Sequence, residues 1–410
     1  MEIPYNWKLD SVGNLFETVT GSTPPKSQKD NYGNDVPFVK PPELLDANIS
    51  VTADSLSEKG AASSRTLPSG SVLISCIGNL GKVGVNSQVV AFNQQINAIR
   101  PSDTFISKFM FYQALSPWFK AQLEGLASGT TVPIVNKSKF NSIKVVLPPT
   151  SEQKRIVAIL DQAFADIEQA RAKTDQNLKN ARELFESYLQ QVFSQRGEGW
   201  VETTLGEEIN LLTGFAFKSK EYVTHSDSVP LIRGDNIVQG KLRWDGVKLW
   251  ASDKTAEYEK YQLAKDDIVL AMDRTWVKAG MKFSRISDAD LPALLVQRVA
   301  RLRCLNSLNS DYLYHLIGSK LFERYVLSIQ TGLGVPHISG KQIQTFRFNK
   351  PGIEEQLLVV KTLNKLADKV SCLTEIYQSK LFAIDELKKS ILQKAFTGEL
   401  TNTENKGVAA

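Results

Sequence analysis

The alternation of apolar and polar positions divides this 410-residue chain into two kinds of segment, and each kind occurs twice. In the first kind, short β-branched runs punctuated by Gly, Asn and Pro predict strands: SVLIS (71–75), VGVNSQVVAF (83–92) and SIKVVL (142–147). The stretches SKFMFYQALSPWFKAQL (107–123) and SDYLYHLIGSKLFERYVL (310–327) carry apolar residues at helical spacing, so each region reads as a mixed α/β unit with one well-formed helix. The second kind is long, charged and narrowly striped. After LPPTSEQKRIVAIL (147–160) opens, a heptad runs through Ile156, Leu160, Ala163, Ile167, Ala170, Thr174, Asn177, Ala181, Leu184, Tyr188 and Gln191. After KPGIEEQLLVVKTL (350–363) opens, another runs through Val359, Leu363, Leu366, Val370, Leu373, Tyr377, Lys380, Ile384, Leu387, Ile391 and Lys394. Pro148 and Pro149 prevent an earlier start, and Thr150 or Ser151 with Glu152 supplies a cap.

The two halves repeat one another. At an offset of 193, Trp7, Gly13, Thr20 and Gly21 align with Trp200, Gly206, Thr213 and Gly214, and VPFVK (36–40) with VPLIR (229–233). At 196, LPSGSVLI (67–74) meets LAKDDIVL (263–270), and Lys82 and Gly84 meet Lys278 and Gly280. At 203, Gln94, Arg100, Gly129, Val132 and Pro133 meet Gln297, Arg303, Gly332, Val335 and Pro336. The ten extra residues of the second copy are expected in two places, both outside the helical segments.

Duplication and striping together predict an α+β architecture. Two mixed α/β domains, 1–150 and 197–353, are separated by long helices at 151–196 and 354–400, with a flexible tail at 401–410. A narrow apolar seam with charged flanks is best buried against its like. The helices are therefore expected to pair antiparallel about a pseudo-two-fold axis, as a coiled-coil spacer joined through Ile156, Leu160, Ile167 and Leu184 on one side and Leu363, Leu366, Val370 and Leu387 on the other. A helix of this length spans roughly 65 Å.

Composition narrows the function. No apolar run reaches the length of a membrane span, and MEIPYNWKLD lacks the layout of a signal peptide, so a cytoplasmic protein is expected. Cys76, Cys304 and Cys372 stand far apart and read as small core residues, while His225, His315 and His337 lack metal-site spacing. No Walker A motif occurs, and GNLGKVG (78–84) keeps only its lysine and last glycine in the repeat, so it reads as a turn between strands. No nuclease, methyltransferase or nucleophile constellation is assembled either. The chain reads as a recognition and assembly protein without catalysis, metal or cofactor of its own. Its net charge of +5 is carried outside the long helices, each of which holds seven basic and seven acidic residues. The first domain has thirteen basic against eleven acidic and the second twenty-one against eighteen, a mild bias compatible with nucleic acid.

Duplicated loops supply the candidate DNA-binding residues. VPFVKPPELLDANI and VPLIRGDNIVQGKL present Lys40 and Arg233 with Glu43 and Asn236. GTTVPIVNK and GLGVPHISGK present Thr130, Thr131, Asn136 and Lys137, and His337 and Lys341. AFNQQINAIR and LLVQRVARLR place Gln94 and Gln95 opposite Gln297 and Arg298, and a further loop interleaves Arg274, Trp276 and Lys278, with Lys82 in the first copy. These side chains carry donors that match base edges and phosphates.

The duplicated organisation, PPTSEQKRIVAIL, the GTTVPIVNK loop before it and the closing SILQKAFTGEL together resemble the specificity subunit of a type I restriction-modification enzyme, over essentially the whole chain. The resemblance implies two target-recognition domains, each reading one half of a split, asymmetric site in double-stranded DNA. It also implies helices that set the distance between half-sites and bind two modification subunits. Those partners would carry S-adenosylmethionine and flip the target adenine. Restriction subunits using ATP and Mg would join as the motor-nuclease. On this reading, four residues inserted after Phe193 would lengthen the unread gap. A duplicated scaffold that binds proteins or glycans is the alternative from another class, and salt-insensitive binding would mark it.

Overall fold

The computed structural model describes residues 3–332 and 334–401; positions 402–410 of the expected tail lie outside the described residues. The chain divides into two compact units, one formed by Met1–Asp175 with Gln378–Ala410 and the other by Gln176–Tyr377. Both long helices, Thr150–Ser194 and Ile353–Thr397, contribute a part to each unit.

The centre of unit one is a five-stranded sheet in the order Thr18–Thr20, Ile96–Ile99, Val72–Ser75, Val83–Asn86 and Ala47–Ile49, antiparallel except for the last pair. Val72–Ser75 is buried along its whole length, as a continuous apolar run covered on both faces should be. A second sheet orders Asp54–Leu56, Tyr32–Val39, Val90–Phe92 and Thr66–Leu67, and Lys8–Ser11 pairs antiparallel with Lys144–Leu147, just ahead of the first long helix.

Unit two repeats this plan. Its four-stranded sheet runs Ile209–Thr213, Val299–Cys304, Ile268–Ala271 and Phe283–Arg285, beside a three-stranded sheet and the ladder of Val201–Thr204 with Arg347–Lys350. The strand register corrects the expected alignment. Leu73 pairs with Gly84 and Val269 with Ser284, so Gly84 corresponds to Ser284 and Lys82 to Lys282, rather than to Gly280 and Lys278. The extra residues thus fall in three loops, not two. The middle loop carries the hairpin of Trp276–Val277 with Gly280–Met281.

The single helix expected in each unit is broken in two. Ser107–Leu115 gives way to Pro117–Gly125, because Pro117 has no N–H to continue the ladder and the Ser116 hydroxyl caps Phe119 N at 3.2 Å. Ser310–Ile317 is followed by Lys320–Ile329, with Ser319 capping Phe322 N at 3.4 Å.

A buried glutamine ties each long helix to its unit. The Gln153 amide accepts from Ile106 N at 2.8 Å and donates to Pro148 O at 2.9 Å and Thr104 O at 3.1 Å. Gln356 does the same with Asn309 N at 2.9 Å, Pro351 O at 2.9 Å and Ser307 O at 3.0 Å. Two turns on, Tyr112 donates to Asp161 at 2.5 Å, and in the equivalent place His315 Nε2 lies 2.7 Å from Asn364 Oδ1.

Inside unit one the helical segments run antiparallel: Lys388 pairs with Glu168 at 3.5 Å and Arg171 pairs with Asp385. Ile156 and Leu160 are buried in one core with Leu392, Ala395 and Phe396, and also with Val12 and Phe109 of the domain. The helix ends therefore pack into domain cores as well as against each other. Ile167 and Leu363 are buried, and Leu366 and Val370 half-buried. Leu184 and Leu387, placed in the expected seam, are instead 61% and 50% exposed. The cause is helical phase, since a straight helix drifts about 20° per heptad. After Ala181 the covered stripe moves to Phe185, Leu189 and Val192, and after Ile384 to Leu392 and Ala395.

The cysteines also divide. Burial pushes the Cys76 thiol up to about 11 and the Cys304 thiol up to about 12, whereas Cys372 is exposed on the second long helix and is not a core residue. Burial lowers the His315 pKa, the bond to Asn364 opposing and the Arg285 charge assisting. The imidazole thus stays neutral in the folded chain while the unfolded chain takes up a proton below about 6.5. Stability from this group is full above that pH and is lost as pH falls toward the lower folded value. Urea unfolding between pH 7 and 5.5 should show this loss in the parent and a shallower slope in His315→Gln, with at most about 1.4 kcal/mol per pH unit at stake. Equal slopes would count against it.

Candidate nucleic-acid interface

The candidate loops of unit one are brought together by backbone bonds at one end of the central sheet. Cys76 N donates to Gln95 O at 2.8 Å, Val135 N to Cys76 O at 2.8 Å, and Gly78 N to Pro133 O at 3.0 Å. Ser128 and Ile134 exchange both of their backbone bonds, closing the loop that exposes Thr130 and Thr131. Gly129 is required there: its φ is +103°, and a Cβ would meet Val132 O at 2.5 Å.

Unit two builds the same frame from different residues. Met272 N donates to Arg298 O at 2.8 Å, Ile338 N to Met272 O at 2.9 Å and Arg274 N to Pro336 O at 2.7 Å, while Thr331 and His337 exchange both bonds. Gly332 repeats the left-handed turn at +102°. Through this frame Gln95 corresponds to Arg298, Gly78 to Arg274 and Ile134 to His337.

The frame opens on a cleft of about 390 Å³ whose lining includes Arg233, Arg274, Lys282, Gln297, Arg298 and Asp273. His337 Nδ1 lies 2.5 Å from Asp273 Oδ1, and the Arg298 guanidinium approaches the same oxygen at 3.8 Å. Arg233 pairs with Asp235 at 3.1 Å. Lys282, which the sequence alignment passed over, is half-buried in this cleft. Burial lowers its pKa, with Arg274 and Arg243 acting in the same sense and Asp235 and Asp273 opposing. The signal that would have found it is its correspondence to Lys82, hidden by the inserted hairpin.

Several candidates are used within the fold instead. Asn236 is 4% exposed; its amide accepts from Arg233 N at 3.2 Å and donates to Arg243 O at 3.2 Å, so it shapes the loop that carries Arg233. Glu43 plays this part in unit one, accepting from Lys40 N at 2.9 Å, while the Lys40 ammonium is paired with Asp54 and lies over the Phe38 ring. Asn136 caps the short helix Lys137–Asn141 through Lys139 N at 2.9 Å, as Ser339 caps Gly340–Gln344. Trp276 and Lys278 do not join the arginine cleft. They line a separate hollow of about 330 Å³ with Glu186, Gln239 and Lys320. Gln94, Lys137, Lys341, Arg274, Gln297 and Arg298 remain exposed, and Gln95 and Lys82 are half-exposed. Among the described residues no group of three or more His, Cys, Asp or Glu side chains is gathered as a metal ion would need, and no helix is long and apolar enough to cross a membrane.

Two stretches, 4–176 and 197–379, match the family model described as type I restriction modification DNA specificity domain. The chain belongs to that family. Each matched stretch takes in one α/β domain and the first part of the 45-residue helix that follows it. Similar family members include the type I restriction enzyme MjaVIII specificity subunit of Methanocaldococcus jannaschii, 24% identical over 413 residues that cover 98% of this chain and 94% of the relative. The HindI specificity subunit of Haemophilus influenzae is 34% identical over 172 residues, or 40% of this chain and 38% of the relative. Among solved structures, the HsdS subunit from Thermoanaerobacter tengcongensis aligns with a TM-score of 0.61 at 18% identity, over 98% of this chain and 99% of that one. A chain from work on complex assembly and conformational transition of the type I R-M system reaches 0.82, also at 18% identity, over 98% and 100%. At that identity the likeness speaks for the fold.

Proposed function

We propose that this specificity-family chain is the non-catalytic, sequence-reading subunit of a type I restriction-modification complex. Each unit reads one half of a split, asymmetric site in double-stranded DNA. The long helices hold the half-sites at a set separation and seat two modification subunits, which bring S-adenosylmethionine, and the restriction subunits complete the assembly. The observation that carries this reading is the shared hydrogen-bond frame with unlike side chains: Gln95 against Arg298, Gly78 against Arg274, Ile134 against His337. One scaffold presenting two sets of donors is what two different half-sites require. Exposed Lys137 and Lys341 fit sequence-independent phosphate contacts beside these readers.

Selection from a random duplex pool by the full chain with its modification subunit tests the proposal. The expected result is a two-part consensus, with affinity falling by about a thousandfold or more between 50 and 200 mM salt. Salt-insensitive binding, or no split consensus, would overturn it in favour of a protein- or glycan-binding scaffold.

A further inference from the structure

Two positions of the shared frame depart from what stability alone would choose, Arg274 and Arg298, at φ +47° and +67°, and at Arg274 the repeat supplies a glycine for comparison. Gly78 and Arg274 make the same backbone bond, to Pro133 O and Pro336 O, and both stand in the left-handed region, at φ +76° and +47°. Glycine adopts that conformation freely, whereas an arginine there is strained. Nothing in unit one forbids a side chain at this point, since a Cβ on Gly78 would meet no atom within 4 Å. Unit two therefore places a guanidinium where the fold prefers glycine. Strain of this kind persists where a site demands it.

The surroundings say what the guanidinium is for. Arg274 is exposed at the mouth of the cleft lined by Arg233, Lys282, Gln297 and Arg298. Two of the other three cations in the cleft have partly compensated charge: Arg233 lies against Asp235 and Arg298 near Asp273. Arg274 makes no ion pair with any described residue. Its fork of donors is the one best matched to the paired O6 and N7 acceptors that guanine shows in the major groove.

We infer that Arg274 is a specificity-determining residue of unit two, reading a guanine in the half-site assigned to that unit, and that unit one lacks this reader because glycine holds the equivalent place. The inference rests on the DNA-reading function proposed above and names one base contact within it.

The test uses the full chain in complex with its modification subunit, as parent, Arg274→Gly and Arg274→Gln. For Arg274→Gly the melting temperature should be unchanged or raised, since a strained residue is replaced by the one that unit one uses. In the pool selection, one guanine of one half-site should lose its preference by about tenfold or more, with the other half-site untouched. Arg274→Gln should shift that position toward adenine. A lowered melting temperature in Arg274→Gly would assign the arginine to folding. Uniform weakening on all sequences would assign it to a phosphate. An unchanged consensus would remove it from recognition altogether. If the parent selects no consensus, the proposed function fails; if the parent does and Arg274→Gly keeps every preference, only this inference fails.

Discussion

Gln356→Leu should destabilise unit two by roughly 2–4 kcal/mol, one of the largest single-residue effects expected in this chain. The side chain is fully buried and satisfies three backbone groups: the N–H of Asn309 and the carbonyls of Ser307 and Pro351. Leucine fills similar space but leaves the buried Pro351 carbonyl without a partner and removes the bonds to the part-buried Asn309 N–H and to the carbonyl of exposed Ser307. An orphaned buried group costs about 1–3 kcal/mol, roughly twice what a made hydrogen bond contributes net. Gln153→Leu should do the same in unit one, through Ile106, Thr104 and Pro148. Urea unfolding followed by tryptophan fluorescence measures both, with Gln393→Leu on the exposed face of the second long helix as a control expected within about 0.5 kcal/mol. A cost for Gln356→Leu no larger than the control's would show that the clamp is not what fixes the helix to its domain.

These glutamines join each α/β domain to its long helix, so the consequence extends to the function proposed above. Pro148 and Pro351 end the domain, and the next buried side chain on each helix grips them. Loosening that grip should broaden the range of gap lengths accepted in the DNA site, on the function proposed here.

The repeated Glu-Gln dipeptide was visible in the sequence, but its division of labour was not. Glutamate is solvent-facing in the second copy, while glutamine, a residue usually found at the surface, is the buried one, and only the loop it meets explains that. The two-domain, two-helix plan was legible because duplication repeats its own evidence. The seam was legible over its first half, at Ile156, Leu160 and Ile167, and failed at Leu184 because a strict 3.5-residue repeat falls out of step with about 3.6 residues per turn. Lys282 was hidden by an inserted hairpin, which let Lys278 take its place in a linear alignment. Asn236 was chosen for its chemistry, yet burial gives that chemistry to the chain itself. Residue type identifies a possible donor; which donors stay free depends on long-range packing.

The central claim is that one chain reads two half-sites at a separation set by its helices, and lengthening those helices tests it most directly. Four residues placed after Phe193 would not do so cleanly. Phe193 is buried in unit two, its ring 5.2 Å from that of Tyr312, so the insertion would enter the connector to the domain. A whole heptad added after Asp175 and another after Tyr377 lengthens both helices where each passes from one unit to the other, and shifts the seam by only about 20°. Seven residues add about 10 Å of helix, or about three base pairs of DNA. Pool selection with this chain and its modification subunit should return both parental half-sites with an unread gap about three base pairs longer. A parental gap, or altered half-sites with the gap unchanged, would contradict the account.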